Sequence, residues 1–416
     1  MTYLPRVVDA ELDARLAAAG AVVIEGPKAC GKTSTAGRRA ASSVLLDVDE
    51  GARRAMEVDP SLVLEGARPR LLDEWQVEPR LWNHVRRAVD TASGPGSFLL
   101  TGSAVPEDAV DRHTGAGRFS FLRMRTMSLF ESGRSSATVS LEGLFAGEEA
   151  RAGDPGLTLD DLIESIVRGG WPAQQGSDVA VAAQAARDYL EQVRTVDVSR
   201  VGDRRRDPER VGRLLRSLAR NVATEVRTST LAADAGGADG PLSTVTVRDY
   251  VDALTRLMVL EDQPAWSPHL RSRAVLRSSP RRHFVDPSLA VAALGAGPQA
   301  LRADLELLGL LFESLVVRDL RVLCQPLDGE VRHYRDHYGN EVDAIVQLRD
   351  GRWGAIEIKL GVGAVDAAAS SLHRMVANLD LDRIGEPSFL AVVTATGFAY
   401  RREDGVDVIP VGALRP

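Results

Sequence analysis

The segment Gly26-Pro27-Lys28-Ala29-Cys30-Gly31-Lys32-Thr33 constrains this chain more than any other stretch. Two glycines flank four residues, and Lys and Thr follow, which is the spacing of a phosphate-binding loop. Ala21 to Ile24 before it reads as a buried strand, and Ser34 to Ala41 after it as a helix. That order points loop N–H groups and a helix N-terminus at one spot, where a phosphate fits. Gly26, Pro27, Cys30, Gly31, Lys32, Thr33 and Ser34 are expected to line it, with Cys30 as a small filler. Lys32 is predicted to reach β- and γ-phosphates, and the Thr33 hydroxyl to ligate Mg2+.

The rest of the composition sets bounds. At 416 residues the chain exceeds one ordinary core, so several domains are expected. No apolar run approaches the roughly 18 residues that span a bilayer, and no basic-then-apolar leader opens the chain. Cys30 and Cys324 alone cannot build a disulfide framework or a zinc site. The expectation is a cytoplasmic protein with no membrane partner. The net charge of −7 argues against coating nucleic acid wholesale, yet the charge is uneven. Residues 204–282 hold 15 Arg against 9 acidic residues, and from Gln263 to Arg282 there are five Arg and no acid. A basic segment in an acidic chain is a candidate nucleic-acid footprint.

Two further segments extend the phosphate-loop reading. Arg70-Leu71-Leu72-Asp73-Glu74-Trp75-Gln76 is a short apolar strand ending in paired carboxylates. Asp73 is expected to hold Mg2+ through water, and Glu74 to orient and deprotonate an attacking water. Ser97 to Ser103 is another apolar strand with small polar residues at its end, placing Ser103 as a γ-phosphate sensor. Three such strands predict a doubly wound parallel sheet with nucleotide at the strand C-terminal ends. Arg118, after a Gly-rich stretch, is a candidate finger for transition-state charge in its own or a neighbouring subunit, with a plain surface Arg as the alternative.

Gly-Pro-x-x-x-Gly-Lys-Thr, Leu-Asp-Glu-x-Gln, Leu-Thr-Gly-Ser, and Gly-Arg followed by Leu129-Phe130-Glu131 together resemble the prokaryotic AAA-superfamily ATPases of the archaeal-type group. The resemblance covers nearly the whole chain. It implies ATP and Mg2+ as cofactors and an α/β fold: a P-loop NTPase core, a helical lid, a winged helix and a C-terminal domain similar to restriction endonucleases. On this chain those parts fall at 1–145, 146–203, 204–282 and 283–416.

The residues of the middle agree with that order. Glu131 to Leu157 reads as a loop-rich transition. Leu159 to Val167 has helical apolar spacing, Gly169-Gly170-Trp171-Pro172 breaks it, and Val181 to Val198 forms another amphipathic helix. Asp207 caps a helix with Pro208 at its first position; Thr228 to Ala235 and a Ser243-capped helix to about Leu257 follow. Three helices and then a hairpin is winged-helix order. Ser243, Thr244, Thr246 and Arg248 would face base edges, and Arg271, Arg273 and Arg277 phosphates, so 204–282 is a candidate DNA contact. A protein-contacting winged helix is the alternative.

The last part holds a second constellation. Asp343 begins an apolar strand, Asp350-Gly351 marks a hairpin turn, and Glu357 and Lys359 share one face of the next strand. Asp343 and Glu357 are candidate ligands for Mg2+ or Mn2+, with Lys359 beside an attacking water. This looks like the PD-(D/E)XK nuclease signature, whose further acid comes from a preceding helix; here Glu313 lies on a helix from about Leu305 to Leu323. Val342 stands where that signature usually has Pro. The plainer alternative is a same-face ion pair between Glu357 and Lys359. The overall expectation is an ATP-hydrolysing protein acting on DNA, with a homo-oligomer as a candidate assembly; the alternative is a nucleotide-dependent regulator, of signalling or toxin–antitoxin type, whose C-terminal fold binds without cleaving.

Overall fold

The structure is a computed structural model, and it describes residues 3–91, 94–102, 114–201, 206–268, 279–336 and 339–416. Its N-terminal layer is a five-stranded, wholly parallel sheet of β1 (Ala21–Glu25), β2 (Ser42–Leu45), β3 (Arg70–Asp73), β4 (Phe98–Gly102) and β5 (Phe119–Arg123), in the spatial order β2-β3-β4-β1-β5. Alternation along β1 explains why the sheet needs helices on both faces. Val22 and Ile24 pack with Leu12 and Leu16 of α1 (Val8–Ala18) and Ala36 of α2 (Lys32–Gly37). Ala21 and Val23 pack with Met56 of α3 (Glu50–Val58), Val63 and Leu64 of α4 (Ser61–Leu64), and Trp82 and Val85 of α5 (Leu81–Thr91). α2 is shorter than Ser34 to Ala41 and starts two residues earlier, because Lys32 takes helical geometry directly after the left-handed Gly31.

The expected loop-rich stretch from Glu131 to Leu157 is instead part of a large core. It carries β6 (Val139–Ser140) and α6 (Leu141–Phe145), and Leu141, Leu144 and Phe145 are buried in the same cluster as the C-terminal sheet. The helical middle follows: α7 (Leu159–Arg168), α8 (Val179–Gln192), α9 (Pro208–Arg220), α10 (Thr228–Gly236) and α11 (Thr244–Arg256). Thr158, Asp207 and Ser243 cap α7, α9 and α11 with their side-chain oxygens. α8 ends at Gln192, short of Val198, and the chain continues as one π-helical and one 3-10 turn to Arg200. After α11 the chain makes two antiparallel bridges, Leu260 with Phe284 and Gln263 with Arg281.

α12 (Pro287–Leu294), α13 (Pro298–Ala303) and the 19-residue α14 (Leu305–Leu323) lead into the second sheet. Its strands are β7 (Gly329–Arg335), β8 (Glu341–Leu348), β9 (Trp353–Lys359), β10 (Phe389–Thr394), β11 (Tyr400–Arg401) and β12 (Asp407–Pro410), ordered β11-β12-β10-β9-β8-β7. β7, β8 and β9 are antiparallel neighbours, while β9, β10 and β12 run parallel. The hairpin predicted at Asp350-Gly351 joins β8 to β9. One face, with Ala344, Val346, Ile356 and Ile358, packs on α14; the other, with Ile345, Ala355 and Val392, packs on α15 (Val365–Ala377). α16 (Leu381–Ile384) lies between α15 and β10, and the closing strand β13 (Leu414–Arg415) returns to pair with β6. Among the described residues no helix is long and apolar enough to cross a membrane.

Candidate nucleotide site and C-terminal charge cluster

β1 ends at Glu25 and α2 starts at Lys32, so residues 26–31 form the loop between them. Gly31 has φ +103°, and a Cβ on Gly26 would lie 2.2 Å from the Met124 carbonyl, so the sequence has glycine where side chains do not fit. Lys32 is buried, and its Nζ donates to the carbonyls of Gly26 (3.0 Å) and Pro27 (2.8 Å). Among the described residues no carboxylate pairs with it; neutral carbonyls are partners an ammonium readily exchanges for phosphate oxygens. The Thr33 hydroxyl donates to Asp73 Oδ1 at 2.9 Å, and the Thr101 hydroxyl donates to the same oxygen. Glu74 sits at φ +54°, an unfavourable backbone for a non-glycine, and its carboxylate accepts from the Gln76 amide.

Two adjoining clefts share Gly31, Ser34, Pro172 and Ala173. One, of about 530 Å³, is lined by Lys28, Lys32, Thr33, Asp47 and Glu74. The other, of about 570 Å³, is lined by Tyr3, Leu4, Arg38, Met127 and Gln175 and is more apolar. A triphosphate with its hard cation suits the first, since Thr33 and Asp73 supply oxygen donors side by side. A planar base suits the second. Pro172, at the end of the Gly169-Gly170-Trp171-Pro172 break, thus lines both clefts, and Lys28 Nζ pairs with Asp197 at 2.6 Å, from the π-helical turn after α8.

The remaining N-terminal expectations fare differently. The Cys30 side chain is fully buried against the Met124 carbonyl, as a filler should be, and its own carbonyl accepts from Arg6. Ser103 lies outside the described residues; Thr101, two positions earlier, is the strand-end hydroxyl at Asp73. Arg118 does not reach the loop of its own chain. It stands at the start of β5, where its carbonyl bonds Ala21 N, the opposite end of β1 from the loop, and its guanidinium pairs with Asp90 at 2.8 Å.

Asp343, Glu357 and Lys359 are brought together, as the strand spacing predicts, and Glu313, which the resemblance adds, joins them through Arg281. Lys359 Nζ lies 2.9 Å from Asp343 and 2.6 Å from Glu357. The unanticipated member is Arg281, from the basic run: its guanidinium reaches Glu313 (2.6 Å), Glu341 (3.0 Å) and Asp343 (3.2 Å). Asp343 Oδ2 also accepts from the Ile358 N–H. Burial and the Asp343 charge push Glu313 up to about 8 and Glu357 up to about 7. Asp343 is buried as well, which alone would raise it, but Lys359 and Arg281 hold it below the usual carboxylate range. Both Asp343 oxygens are therefore taken by protein donors. Among the described residues no group of three or more His, Cys, Asp or Glu is disposed to hold a metal ion.

On the helical middle, Thr244 and Arg248 are exposed at the start of α11, while Ser243 spends its hydroxyl on the cap. Arg271, Arg273 and Arg277 lie outside the described residues. Sequence reasoning missed Tyr3, Arg6 and Arg281. For Tyr3 and Arg6 no local signal exists, since both act on residues far along the chain. For Arg281 the signal was its place in an acid-free run, which was read as a surface.

Comparison with known proteins agrees with the N-terminal geometry. A family described as "AAA domain" matches residues 18–132. Two domains of unknown function, DUF8612 and DUF4143, match 159–300 and 308–414. Uncharacterized proteins of Mycobacterium bovis and Mycobacterium tuberculosis are each 25% identical over 410 residues, spanning 97% of this chain and 83% of theirs. A solved Walker-type ATPase of Pyrococcus abyssi is 12% identical, covering 68% of this chain and 94% of its own, at a TM-score of 0.40. The N-terminal part of this protein is an AAA-type, ATP-binding domain built on a parallel sheet.

Proposed function

We propose that this protein hydrolyses MgATP in the two adjoining clefts and uses the cycle to alter how its helical and C-terminal parts engage a partner. The observation that carries this reading is Lys32, buried and, among the described residues, bonded only to carbonyls, beside the Thr33–Asp73 hydrogen bond. In it, Lys32 exchanges its carbonyl partners for β- and γ-phosphate oxygens. Thr33 and Asp73 would hold Mg2+, which would neutralise charge on the phosphates. Glu74 leaves Gln76, orients the attacking water and takes its proton. Tyr3, Leu4 and Met127 surround the base. Pro172 and Asp197 let the lid sense the bound state, because both lie against the loop.

DNA is the proposed partner of the segment 204–282, on the strength of its charge and of exposed Arg248. Cleavage by the C-terminal domain is not part of this reading, since Arg281 and Lys359 satisfy the carboxylates there. Nucleotide affinity and turnover test the ATPase directly. Glu74→Gln should bind a fluorescent ATP analogue as the parent does and lose turnover by about 100-fold or more. Turnover equal in both proteins would overturn the reading.

A further inference from the structure

A separate cleft of about 650 Å³ opens between the free edge of β5, α1, the C-terminal end of α14 and the β8–β9 hairpin. Its inner wall is basic. Arg125 binds Glu261 through Nε and NH2 (2.7 Å at the shortest) and gives NH1 to Gln325. Arg321 donates to the Glu261 and Asp262 carbonyls and lies 3.7 Å from the Glu261 carboxylate. Arg15 is matched by Glu11. Arg123 has no hydrogen bond or ion pair from its guanidinium among the described residues, and its Nε is buried without a partner. Three guanidiniums thus share the one carboxylate of Glu261, leaving two positive charges uncompensated.

The remaining acids do not repair this. Glu330 and Asp350 on the rim are paired outward with Arg332 and Arg352, and Asp328 stands exposed. Asp262 is matched by Arg282. Like charges gathered in a partly dry wall repel strongly unless an anion joins them. Guanidinium forks suit phosphate oxygens in particular. Phe121 is two residues before Arg123 on β5, so it shares that strand face, and it is 47% exposed. A half-exposed aromatic beside a phosphate-seeking fork is a stacking surface for a base.

We propose that this cleft binds the phosphate of a nucleotide, with Arg123, Arg125 and Arg321 as its receptor and Phe121 against the base. The nucleotide comes either free or as a unit of a polynucleotide. The site is distinct from the phosphate loop, but its strand β5 is the sheet neighbour of β1, which leads into the loop. Arg123 is the register partner of Glu25, the last strand residue before the loop, and the Arg125 carbonyl accepts from Arg6, which also holds the Cys30 carbonyl.

The test uses the full chain carrying Lys32→Ala, so that the loop's ammonium plays no part. AMP is titrated by calorimetry and a labelled 12-nucleotide single strand by anisotropy, each with and without Arg123→Gln. The proposal expects at least one probe to bind and to weaken about tenfold or more with Arg123→Gln. AMP binding identifies a free nucleotide as the source; strand binding alone identifies a polynucleotide. No binding of either, or binding indifferent to Arg123→Gln, overturns it. Thermal unfolding in phosphate-free buffer guards against a folding artefact. Because Arg123 has no partner to lose, Arg123→Gln should melt no lower than the parent, and a fall of several degrees would make Arg123 a structural group and overturn the proposal as well.

Discussion

The phosphate loop and the C-terminal cluster both bury charged side chains, but they end in opposite states. Lys32 rests on two neutral carbonyls at the edge of an open cleft. Arg281 and Lys359 rest on carboxylates that also hold each other in place. An ammonium on carbonyls gains by meeting a phosphate; a guanidinium among three carboxylates gains nothing from a ligand until it is displaced. Similar residue types at predicted spacing therefore make a site ready for ligand in one half and a closed, self-neutralised network in the other.

The sharpest way to break this comparison is at the open site. Lys32→Ala should reduce ATP turnover by about 100-fold or more, read by phosphate release, without lowering the melting temperature appreciably. At the closed site the balance reverses. Arg281→Ala removes the only cation paired with Glu313 among the described residues and one of the two on Asp343, and should cost about 3–5 kcal/mol in denaturant unfolding. A loss below about 1 kcal/mol would show that the network is not closed.

The pH dependence of stability sharpens the same contrast. Glu313 and Glu357 hold protons up to about 8 and about 7, values raised by burial and by Asp343. The unfolded chain releases those protons near the ordinary glutamate value, so the folded state binds more protons in between. Stability should therefore fall as pH rises from roughly 4.5 to 8. Glu357→Gln, which is neutral throughout, should flatten part of that slope; an unchanged profile would mean that Glu357 is ionised in the fold. The smallest effect is expected at the contact between the phosphate loop and the turn after α8. Lys28 is 43% exposed on its side chain, so Lys28→Ala should change stability by less than about 1 kcal/mol.

The same contrast explains what was legible in the sequence. α14 was readable from Leu305 to Leu323 because its apolar spacing is long and uninterrupted, and two capped helices were readable from Asp207 and Ser243 beside their apolar runs. Glu357 and Lys359 were placed on one face by simple alternation. Arg281 was not readable as a cluster member, because its three carboxylate partners lie 32 to 62 residues away and nothing local marks the pairing. Residues 131–157 misled for a similar reason. Their Gly, Ser and Ala content reads as loop, while their burial depends on β13 and Phe389 at the far end of the chain. Arg118 looked mobile after glycines, but only the register of β5 on β1 shows which end of the sheet it occupies.

Phosphate release from ATP, measured side by side for the parent, Lys32→Ala, Glu74→Gln and Asp343→Ala, tests the central claim most directly. The account predicts turnover lost in the first two variants and retained within about twofold in Asp343→Ala, provided that the protein remains folded. Turnover surviving in Lys32→Ala and Glu74→Gln would contradict it, as the work would then be done somewhere other than the N-terminal clefts.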